Sequence, residues 1–378
     1  MRVLTVNAGS SSLKLRVLDE DGALVADRDL PAPRGPGDSA VIADALDEVR
    51  GIEAVGHRVV HGGAEFSEPA LLDDAVVEHI AALTPLAPLH QPKALAGIRA
   101  VRDAFTRLPE VACFDTAFHA HIPPAAAVYP VPREWTQRWG VRRYGFHGLS
   151  HAYASRRAAE LAGGDLRELR IVTCHLGAGA SLAAVRDGRS VDTTMGYTPL
   201  EGLMMATRCG DVDPGLLLWA QDALGMSAGE VSAVLTNRAG LFGMTGTPDM
   251  REVVDRAAAG DADAALALEV YAHRLRGGIA RMTASLGGLD VLVFTGGVGE
   301  NGVEVRRRAA EGLGFLGVEL DAARNAAGPA DREIGAPGAA ARAVVVAARE
   351  DLEIARETRE VVRARAAGSG PAPAPHGY

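Results

Sequence analysis

The chain has 378 residues, of which 48% are hydrophobic and 23% charged, a composition typical of a globular protein with room for two domains. Its formal net charge of −9 argues against nucleic acid or an anionic membrane as the main partner, because both select basic surfaces. No apolar run is long enough to span a membrane and the strand-like start lacks a cationic leader, so a cytoplasmic location is expected.

The first predicted element is a hairpin. Residues 3–6 form an apolar run, and Leu13, Leu15 and Val17 alternate with polar residues, so both segments predict strands. A polar turn, residues 7–12, with one glycine and three serines joins them. Its N–H groups and hydroxyls suit an anion such as phosphate. An ordinary hairpin turn is the alternative, since glycine and serine are common in all turns.

A second stretch repeats this layout, "RIVTCHLGAGASLAAVRDGRSVDTT". It predicts strands at 171–174 and 181–185, a glycine turn at 177–179, and a tight Asp-Gly turn at 187–188. Residues 21–22 are the corresponding Asp-Gly of the first copy. Two copies of this layout, about one domain length apart, indicate that the chain has two halves with the same fold that face a shared nucleotide. A chance likeness of two meanders is the alternative.

Other apolar runs end in polar corners, namely "HRVVHGG", "CFDTAFH" and "VFTGGVGEN". Ligands of α/β sheets bind at the carboxyl ends of strands, which makes Arg58, His61, Asp115 and residues 296–301 candidates. The segments between the corners carry helical patterns and predict an α/β class. These helices are expected at 74–83, 262–286 and 352–365, and the Pro- and Ala-rich tail, 367–378, is expected to be disordered.

Taken together, these segments resemble the acetate kinase family, within the superfamily of acetate and sugar kinases, heat-shock chaperones and actin. The matching stretches are "VNAGSSSLK", "GHRVVHGG", "PLHQP", "FDTAFH", "YGFHGLSH", "HLGAGAS", "TPLEGLMMATRCGDVDPG", "FTGGVGEN" and "EDLEIARET". The resemblance implies two duplicated actin-like (ribonuclease H-like) domains with a nucleotide cleft between them, in a homodimer. The first domain would comprise 1–117 and the terminal helix 352–366. The second, 118–351, would hold the nucleotide site and the dimer interface.

The resemblance also implies a reaction, the reversible in-line transfer of the γ-phosphoryl group of ATP to acetate, which gives acetyl phosphate and ADP. Such a transfer depends on positioning and charge stabilisation. Arg58 and Arg208 match two active-site arginines, His147 a donor to the phosphoryl group, and Asp115 the catalytic carboxylate. Because acetate is already ionised at neutral pH, no proton has to be removed, and Asp115 is expected to orient Arg58 or the metal shell.

The remaining site residues follow from the same resemblance. Asn7 and Glu350 match ligands of Mg²⁺, for which Mn²⁺ can substitute. Val60, Leu89, Phe146 and Pro199 match the pocket for the acetate methyl group, and His90 matches a supporting histidine among the substrate-binding residues. The residues that match the ATP site are Ser10, Ser12, Lys14, His175, Leu176, Gly177, Ala178, Gly179, Asp249, Met250, Arg251, Gly297, Val298, Gly299, Glu300 and Asn301.

Three segments depart from the family pattern. Ala178 stands where asparagine is usual, "AARE" precedes the last helix in place of a threonine with asparagine or aspartate, and "HQPK" replaces "HNPP". These departures bear on rate and nucleotide affinity more than on reaction type. Histidine pairs at 119 and 121 and at 147 and 151 lack a carboxylate or thiolate at zinc-motif spacing, which disfavours a zinc site.

Two alternative functions stay open. One is a propionate or butyrate kinase of the same family, although the propionate enzymes tend to carry a smaller residue where Val60 stands. The other is an ATPase of the superfamily that drives partner binding, which would need a peptide-binding domain after the second half of the chain. The three cysteines, Cys113, Cys174 and Cys209, are far apart and are assigned no chemistry.

Overall fold

A computed structural model describes residues 1–8, 12–31, 38–45, 49, 51–88 and 90–368 of the chain. The described residues divide into two compact units. The N-terminal unit takes its residues from 1–120, 146–153 and 349–378, and the C-terminal unit comprises 121–145 and 154–348. This division differs from the domain boundaries expected from the sequence at 118–120, 146–153 and 349–351. Apart from residues 367–368, which form a turn, the tail expected to be disordered lies outside the described residues.

The helices follow the predicted α/β pattern. The expected helices at 74–83, 262–286 and 352–365 are confirmed, with small shifts at the ends of the first and the last. The α-helices are α1 Asp38–Ala45, α2 Asp74–Ala82, α3 Gln91–Ala104, α4 Pro124–Ala127, α5 Arg133–Trp139, α6 Gly148–Ala162, α7 Pro214–Leu224, α8 Ala228–Asn237, α9 Gly240–Thr245, α10 Met250–Ala258, α11 Ala262–Leu286, α12 Gly296–Asn301, α13 Val303–Ala310, α14 Ala322–Ala326 and α15 Glu350–Ala366, with short 3₁₀ helices at Thr84–Leu86, Ala117–His119 and Gly314–Leu316. None of the described helices is long and apolar enough to cross a membrane.

The N-terminal unit is built on one sheet. Its strands are β1 Val3–Ala8, β2 Ser12–Leu18, β3 Leu24–Pro31, β4 Ala54–Val59, β5 Ala70–Leu71 and β6 Glu110–Phe114, in the order β3-β2-β1-β4-β6-β5. The predicted hairpin is confirmed, because β1 and β2 pair antiparallel. Strands β1, β4 and β6 run parallel to one another. Their carboxyl ends therefore lie at one edge of the sheet.

Helices cover both faces of this sheet. On one face, side chains of β1, β2 and β4 form a core with residues of α1 and α3, such as Ile42 and Val101. On the other face, Ala355 of α15 packs with Val3 and Ala54. Burial on both faces explains why β6 is buried along its whole length. The rigid sheet fixes the backbone from which the polar residues at its edge project.

The C-terminal unit repeats the same sheet topology. Its strands are β7 Ile171–Leu176, β8 Ala180–Arg186, β9 Arg189–Thr193, β10 Val291–Thr295, β11 Arg332–Glu333 and β12 Arg342–Val345, in the order β11-β12-β10-β7-β8-β9. A three-stranded antiparallel meander is again followed by parallel pairs, β7 with β10 and β10 with β12. The repeat expected from the sequence is therefore confirmed, and with it the α/β class of two duplicated actin-like domains.

Candidate active site

Arg58 and Asp115 form the central ion pair of the N-terminal unit. Arg58 is near the end of β4 and Asp115 directly follows β6, so the parallel strands bring them to the same sheet edge. Arg58 Nε donates to both carboxylate oxygens of Asp115 at 3.1 Å, and one terminal nitrogen donates to Oδ2 at 2.6 Å. The Asp115 side chain is 1% exposed. Asp115 thus holds the guanidinium group through three hydrogen bonds.

Burial and charge act in opposite directions on this pair. Burial by itself lowers the pKa of Arg58, but the charges of Asp115 and Glu350 outweigh it, so the pKa lies above the ordinary arginine value. Burial raises the pKa of Asp115 above its ordinary value, while the charge and hydrogen bonds of Arg58 oppose that rise. Each partner therefore stabilises the charged form of the other.

Asn7 and Glu350 lie beside the same guanidinium group. The other terminal nitrogen of Arg58 donates to Asn7 Oδ1 at 3.2 Å and lies 3.5 Å from Glu350 Oε2. Asn7 Nδ2 donates to Glu350 Oε2 at 3.0 Å. Asn7 comes from β1 and Glu350 is the first residue of α15, so the fold joins residues that are far apart in the chain.

The donor chemistry of Asn7 and Glu350 fits Mg²⁺. Both offer hard oxygen ligands, and Mg²⁺ is commonly held by one or two protein ligands together with water and phosphate oxygens. Among the described residues there is no cluster of three or more His, Cys, Asp or Glu side chains that could hold a metal ion. Asn7 and Glu350 would leave the other positions around a bound Mg²⁺ to water and phosphate oxygens.

His147 precedes α6 in a strained backbone conformation. Its φ of 57° lies in the left-handed region, which is uncommon for residues other than glycine and is enriched at functional sites. The next residue, Gly148, donates its backbone N–H to the Asp115 carbonyl at 2.9 Å. A side chain at Gly148 would overlap that carbonyl. The backbones of Gly148 and Asp115 are therefore in close contact. This contact fixes the backbone of His147, the residue that precedes Gly148.

The predicted acceptor residues are divided between the two units. Val60, directly after β4, is half-buried, and Phe146 is buried with its ring 5.3 Å from that of the buried His61. His90 directly precedes α3. Leu89 lies outside the described residues, and Pro199 belongs to the C-terminal unit.

Arg208 of the C-terminal unit is partly buried and has a single side-chain hydrogen bond in the part of the chain that the structure describes. One terminal nitrogen donates to the Pro199 carbonyl at 2.6 Å. No carboxylate in the described residues pairs with this guanidinium group, and burial lowers its pKa. A desolvated cation without an acidic partner is well suited to bind an anion.

The C-terminal unit also contains a pocket of about 1030 Å³, large enough for a nucleotide. Eight of the residues that the sequence predicts at ATP line it: Gly177, Ala178, Asp249, Met250, Arg251, Gly297, Val298 and Asn301. His175, Leu176, Gly179, Gly299 and Glu300 belong to the same unit but are not among its lining residues. Ser12 and Lys14 lie on β2 of the N-terminal unit, and Ser10 lies outside the described residues.

Local backbone geometry shapes this pocket. Gly177 N–H donates to the Gly179 carbonyl at 2.9 Å in the turn between β7 and β8. Asp249 caps α10 by accepting from Arg251 N–H at 2.9 Å. The glycine-rich corner after β10, residues 296–301, forms the short helix α12. The buried Arg306 donates to the Gly299 and Glu300 carbonyls at 2.8 Å and thereby stabilises the end of this helix.

Sequence reasoning missed part of the pocket lining. The further lining residues are Ala206, Leu241, Pro248, Val254, Asp255, Tyr271, Gly302, Val303 and Glu304. Pro248 and Gly302 adjoin predicted residues, so extending those motifs by one position would have found them. Tyr271 lies within the long helix α11 and Leu241 within α9, where a helical pattern carries no signal for a ligand.

Comparison with known proteins identifies the family of the chain. Residues 39–356 match the model of the acetokinase family. The acetate kinase of Leifsonia xyli subsp. xyli is 46% identical over 96% of this chain and 99% of its own, and that of Microcystis aeruginosa is 49% identical over 85% and 79%. Among solved structures, Porphyromonas gingivalis acetate kinase matches with a TM-score of 0.88 and 35% identity over 96% of this chain and 99% of its own. A propionate kinase from Francisella tularensis matches with a TM-score of 0.88 and 37% identity over 95% and 99%. The chain therefore belongs to the acetokinase family.

Proposed function

We propose that this protein is an acetate kinase, which transfers the γ-phosphoryl group of ATP reversibly to acetate and gives acetyl phosphate and ADP. Arg208 is the observation that carries the proposal, because a partly buried guanidinium group without a carboxylate partner among the described residues suits a transferring phosphoryl group. The membership of the chain in a family of phosphotransferases with a carboxyl group as acceptor supports it.

The pocket of the C-terminal unit would bind the nucleotide. Its lining combines apolar side chains such as Val298 with backbone groups of Gly177 and Gly297, a combination that suits a base and a ribose beside phosphates. The β1–β2 hairpin, with Ser10, Ser12 and Lys14, would contribute to phosphate binding from the N-terminal unit. ATP and ADP are then substrates of the reaction, without a tightly bound organic cofactor.

The acceptor would bind through Arg58. A carboxylate oxygen of acetate attacks the γ-phosphorus in line, the bond to the β,γ-bridging oxygen breaks, and ADP leaves with that electron pair. Arg208 and His147 donate to the equatorial oxygens, on which negative charge is spread. Asp115 takes no proton in this scheme, since its carboxylate holds Arg58 in place.

Asn7 and Glu350 would hold Mg²⁺ in this scheme, and Mn²⁺ could replace it. Bound there, the metal ion would neutralise charge on the phosphate oxygens. In the chain itself, Asn7 and Glu350 also contact Arg58, so the same three residues would orient both the metal and the acceptor.

A coupled assay of ADP formation tests the proposal and its alternatives together. The assay compares acetate, propionate, butyrate and no added acceptor at equal concentrations. We expect the highest kcat/KM with acetate, because the half-buried Val60 would limit the room beside the methyl group. Faster turnover with propionate would favour the propionate kinase function, and ADP formation that needs no acceptor would favour the ATPase.

The proposal includes a homodimer. Helix α7 is well capped, by Asp213 and by the left-handed Gly225, yet has no buried residue. Leu218 is 63% and Trp219 53% exposed. Since helices of globular proteins gain most of their stability from packing, and large apolar patches mark interaction sites, a second copy of the chain is proposed to cover α7.

A cytoplasmic location is also part of the proposal. All three cysteines are free, and two of them are buried, a pattern common in reducing compartments. ATP as a substrate is consistent with such a compartment.

A further inference from the structure

The position of Arg208 depends on a segment without regular secondary structure. Residues 194–201 form no helix or strand, yet this segment carries the Pro199 carbonyl that accepts from Arg208 at 2.6 Å. That contact is the only side-chain hydrogen bond of Arg208 within the described ranges. Whatever fixes the Pro199 carbonyl therefore also fixes the guanidinium group.

One buried arginine ties both ends of this segment together. Arg143 is 6% exposed. One of its terminal nitrogens donates to the Thr194 and Met195 carbonyls, at 3.0 Å each. The other terminal nitrogen forms an ion pair with Glu201 Oε1. Pro199 lies between these two contacts in the sequence. The guanidinium group of Arg143 therefore closes the loop that contains the Pro199 carbonyl.

Tyr129 completes the network. Its hydroxyl donates to Glu201 Oε2 and accepts from the Tyr197 N–H at 3.0 Å. Burial raises the pKa of Tyr129 above its ordinary value, although the charge of Arg143 opposes the rise, so the hydroxyl keeps its proton for donation. A side chain at Gly196 would overlap both the Glu201 carboxylate and the Tyr129 hydroxyl. The loop is thus closely packed around Glu201.

The same network also occupies the carboxylate group of Glu201. Both carboxylate oxygens of Glu201 are engaged, one by Arg143 and one by Tyr129. Glu201 therefore anchors the loop without forming an ion pair with Arg208. A carboxylate paired directly with Arg208 would compete with any anion for the same N–H groups.

We propose that Arg143, Glu201 and Tyr129 are positioning residues that hold the Pro199 carbonyl, and through it Arg208, in the orientation used for phosphoryl transfer. This proposal rests on the proposed function. None of the three residues is assigned a contact with substrate. Their effect passes through Arg208, so it should disappear when Arg208 is removed.

A double-mutant cycle tests this coupling. We expect Glu201→Gln, which keeps the shape and removes the charge, to lower kcat by about 10-fold, since misplaced catalytic groups cost factors of this order or more. The KM for ATP should stay within about twofold of the parent value, because the nucleotide pocket is lined by residues other than Glu201 and Arg208. In the Arg208→Ala background, Glu201→Gln should change kcat by less than about twofold. Equal effects of Glu201→Gln in both backgrounds would overturn the proposal, as would parent-like kcat in the single variant.

Glu333→Gln is the matched control. Glu333 accepts from two nitrogens of Arg342 at 2.8 and 2.9 Å in the same unit, and no catalytic role is assigned to it. It should leave kcat unchanged. If Glu201→Gln lowers Tm by more than this control does, the milder Tyr129→Phe replaces it in the double-mutant cycle. Tyr129→Phe should cause a smaller loss of kcat, and this loss should again disappear in the Arg208→Ala background.

A crystal structure of Glu201→Gln gives a readout that does not depend on activity. We expect the Arg208 guanidinium group to have moved out of hydrogen-bond distance of the Pro199 carbonyl. An unchanged Arg208 in that structure would refute the positioning role whatever the enzyme catalyses. Absence of acetate-dependent turnover in the parent protein would instead refute the proposed function.

Discussion

Asp115 accepts three hydrogen bonds from Arg58, at 2.6 to 3.1 Å. Arg208, in contrast, donates to a backbone carbonyl and has no carboxylate partner in the described part of the chain. The two arginines proposed to share the reaction are thus held in different ways. Removing Arg58 would leave a buried carboxylate unpaired, whereas removing Arg208 would remove a cation that burial already disfavours.

The first prediction uses this contrast. Arg58→Ala and Arg208→Ala should both lower kcat by on the order of 10² or more, the scale expected for a lost charged donor. Only Arg58→Ala should also destabilise the fold, by about 3 kcal/mol, because breaking a buried pair leaves Asp115 uncompensated. Steady-state kinetics and urea unfolding measure the two effects. Wild-type-like turnover in either variant, or equal destabilisation by both, would contradict the account.

A second prediction concerns Ala178. The residue is exposed and lines the nucleotide pocket, so an asparagine side chain has room there. Ala178→Asn should lower the KM for ATP or raise kcat, since a charge-assisted hydrogen bond contributes roughly 1.5 to 3 kcal/mol at best. Ala178→Leu, which has nearly the same shape without the amide, is the control and should bring no gain. Equal kinetics for both variants would show that the amide adds nothing.

A third prediction concerns acceptor size. Val60→Ala should raise kcat/KM for propionate relative to acetate, because it opens the volume that an extra methylene needs. One methylene in an apolar pocket is worth about 1 to 3 kcal/mol, so the shift should lie within roughly 10- to 200-fold. The KM for ATP should not change. Val25→Ala, at a 44% exposed valine of the same unit, should leave the ratio unaltered, and an unchanged ratio in Val60→Ala would remove Val60 from the acceptor pocket.

A fourth prediction concerns α7. The parent protein should sediment at twice the 39.3 kDa of one chain. Trp219→Glu should shift it to monomer, because a charge buried in an apolar interface is unfavourable. Leu24→Glu, at a similarly exposed position on β3, should remain dimeric. A parent protein that is monomeric at micromolar concentration, or a dimeric Trp219→Glu variant, would rule out α7 as the interface.

Much of the fold and part of the candidate site could be predicted from the sequence. The alternation of Leu13, Leu15 and Val17 with polar residues predicts both that this segment is a strand and that these three side chains share one face of the sheet, because side chains alternate along a strand. Arg58 and Asp115 could be expected to lie together, because Arg58 is near the end of β4 and Asp115 directly follows the neighbouring parallel strand β6. In each case a local pattern carries the information.

Other features depend on contacts between distant segments, which no local pattern encodes. Tyr271 lines the pocket and lies in helix α11. The spacing of apolar residues in that helix predicts its buried face but not a contact with a ligand. Arg143 and Glu201 are 58 residues apart and resemble ordinary surface charges in the sequence. The glycine-rich segment 296–301 forms the short helix α12, and the hydrogen bonds that stabilise its end come from Arg306, a residue outside the motif.

Detection of acetyl phosphate is the most direct test of the proposed phosphoryl transfer. In ³¹P NMR of the parent protein with ATP, Mg²⁺ and acetate, acetyl phosphate should form in a one-to-one ratio with ADP, and Arg208→Ala should slow the formation of both by on the order of 10² or more. ADP with inorganic phosphate and no acetyl phosphate, in amounts independent of acetate, would contradict the account and identify the protein as an ATPase.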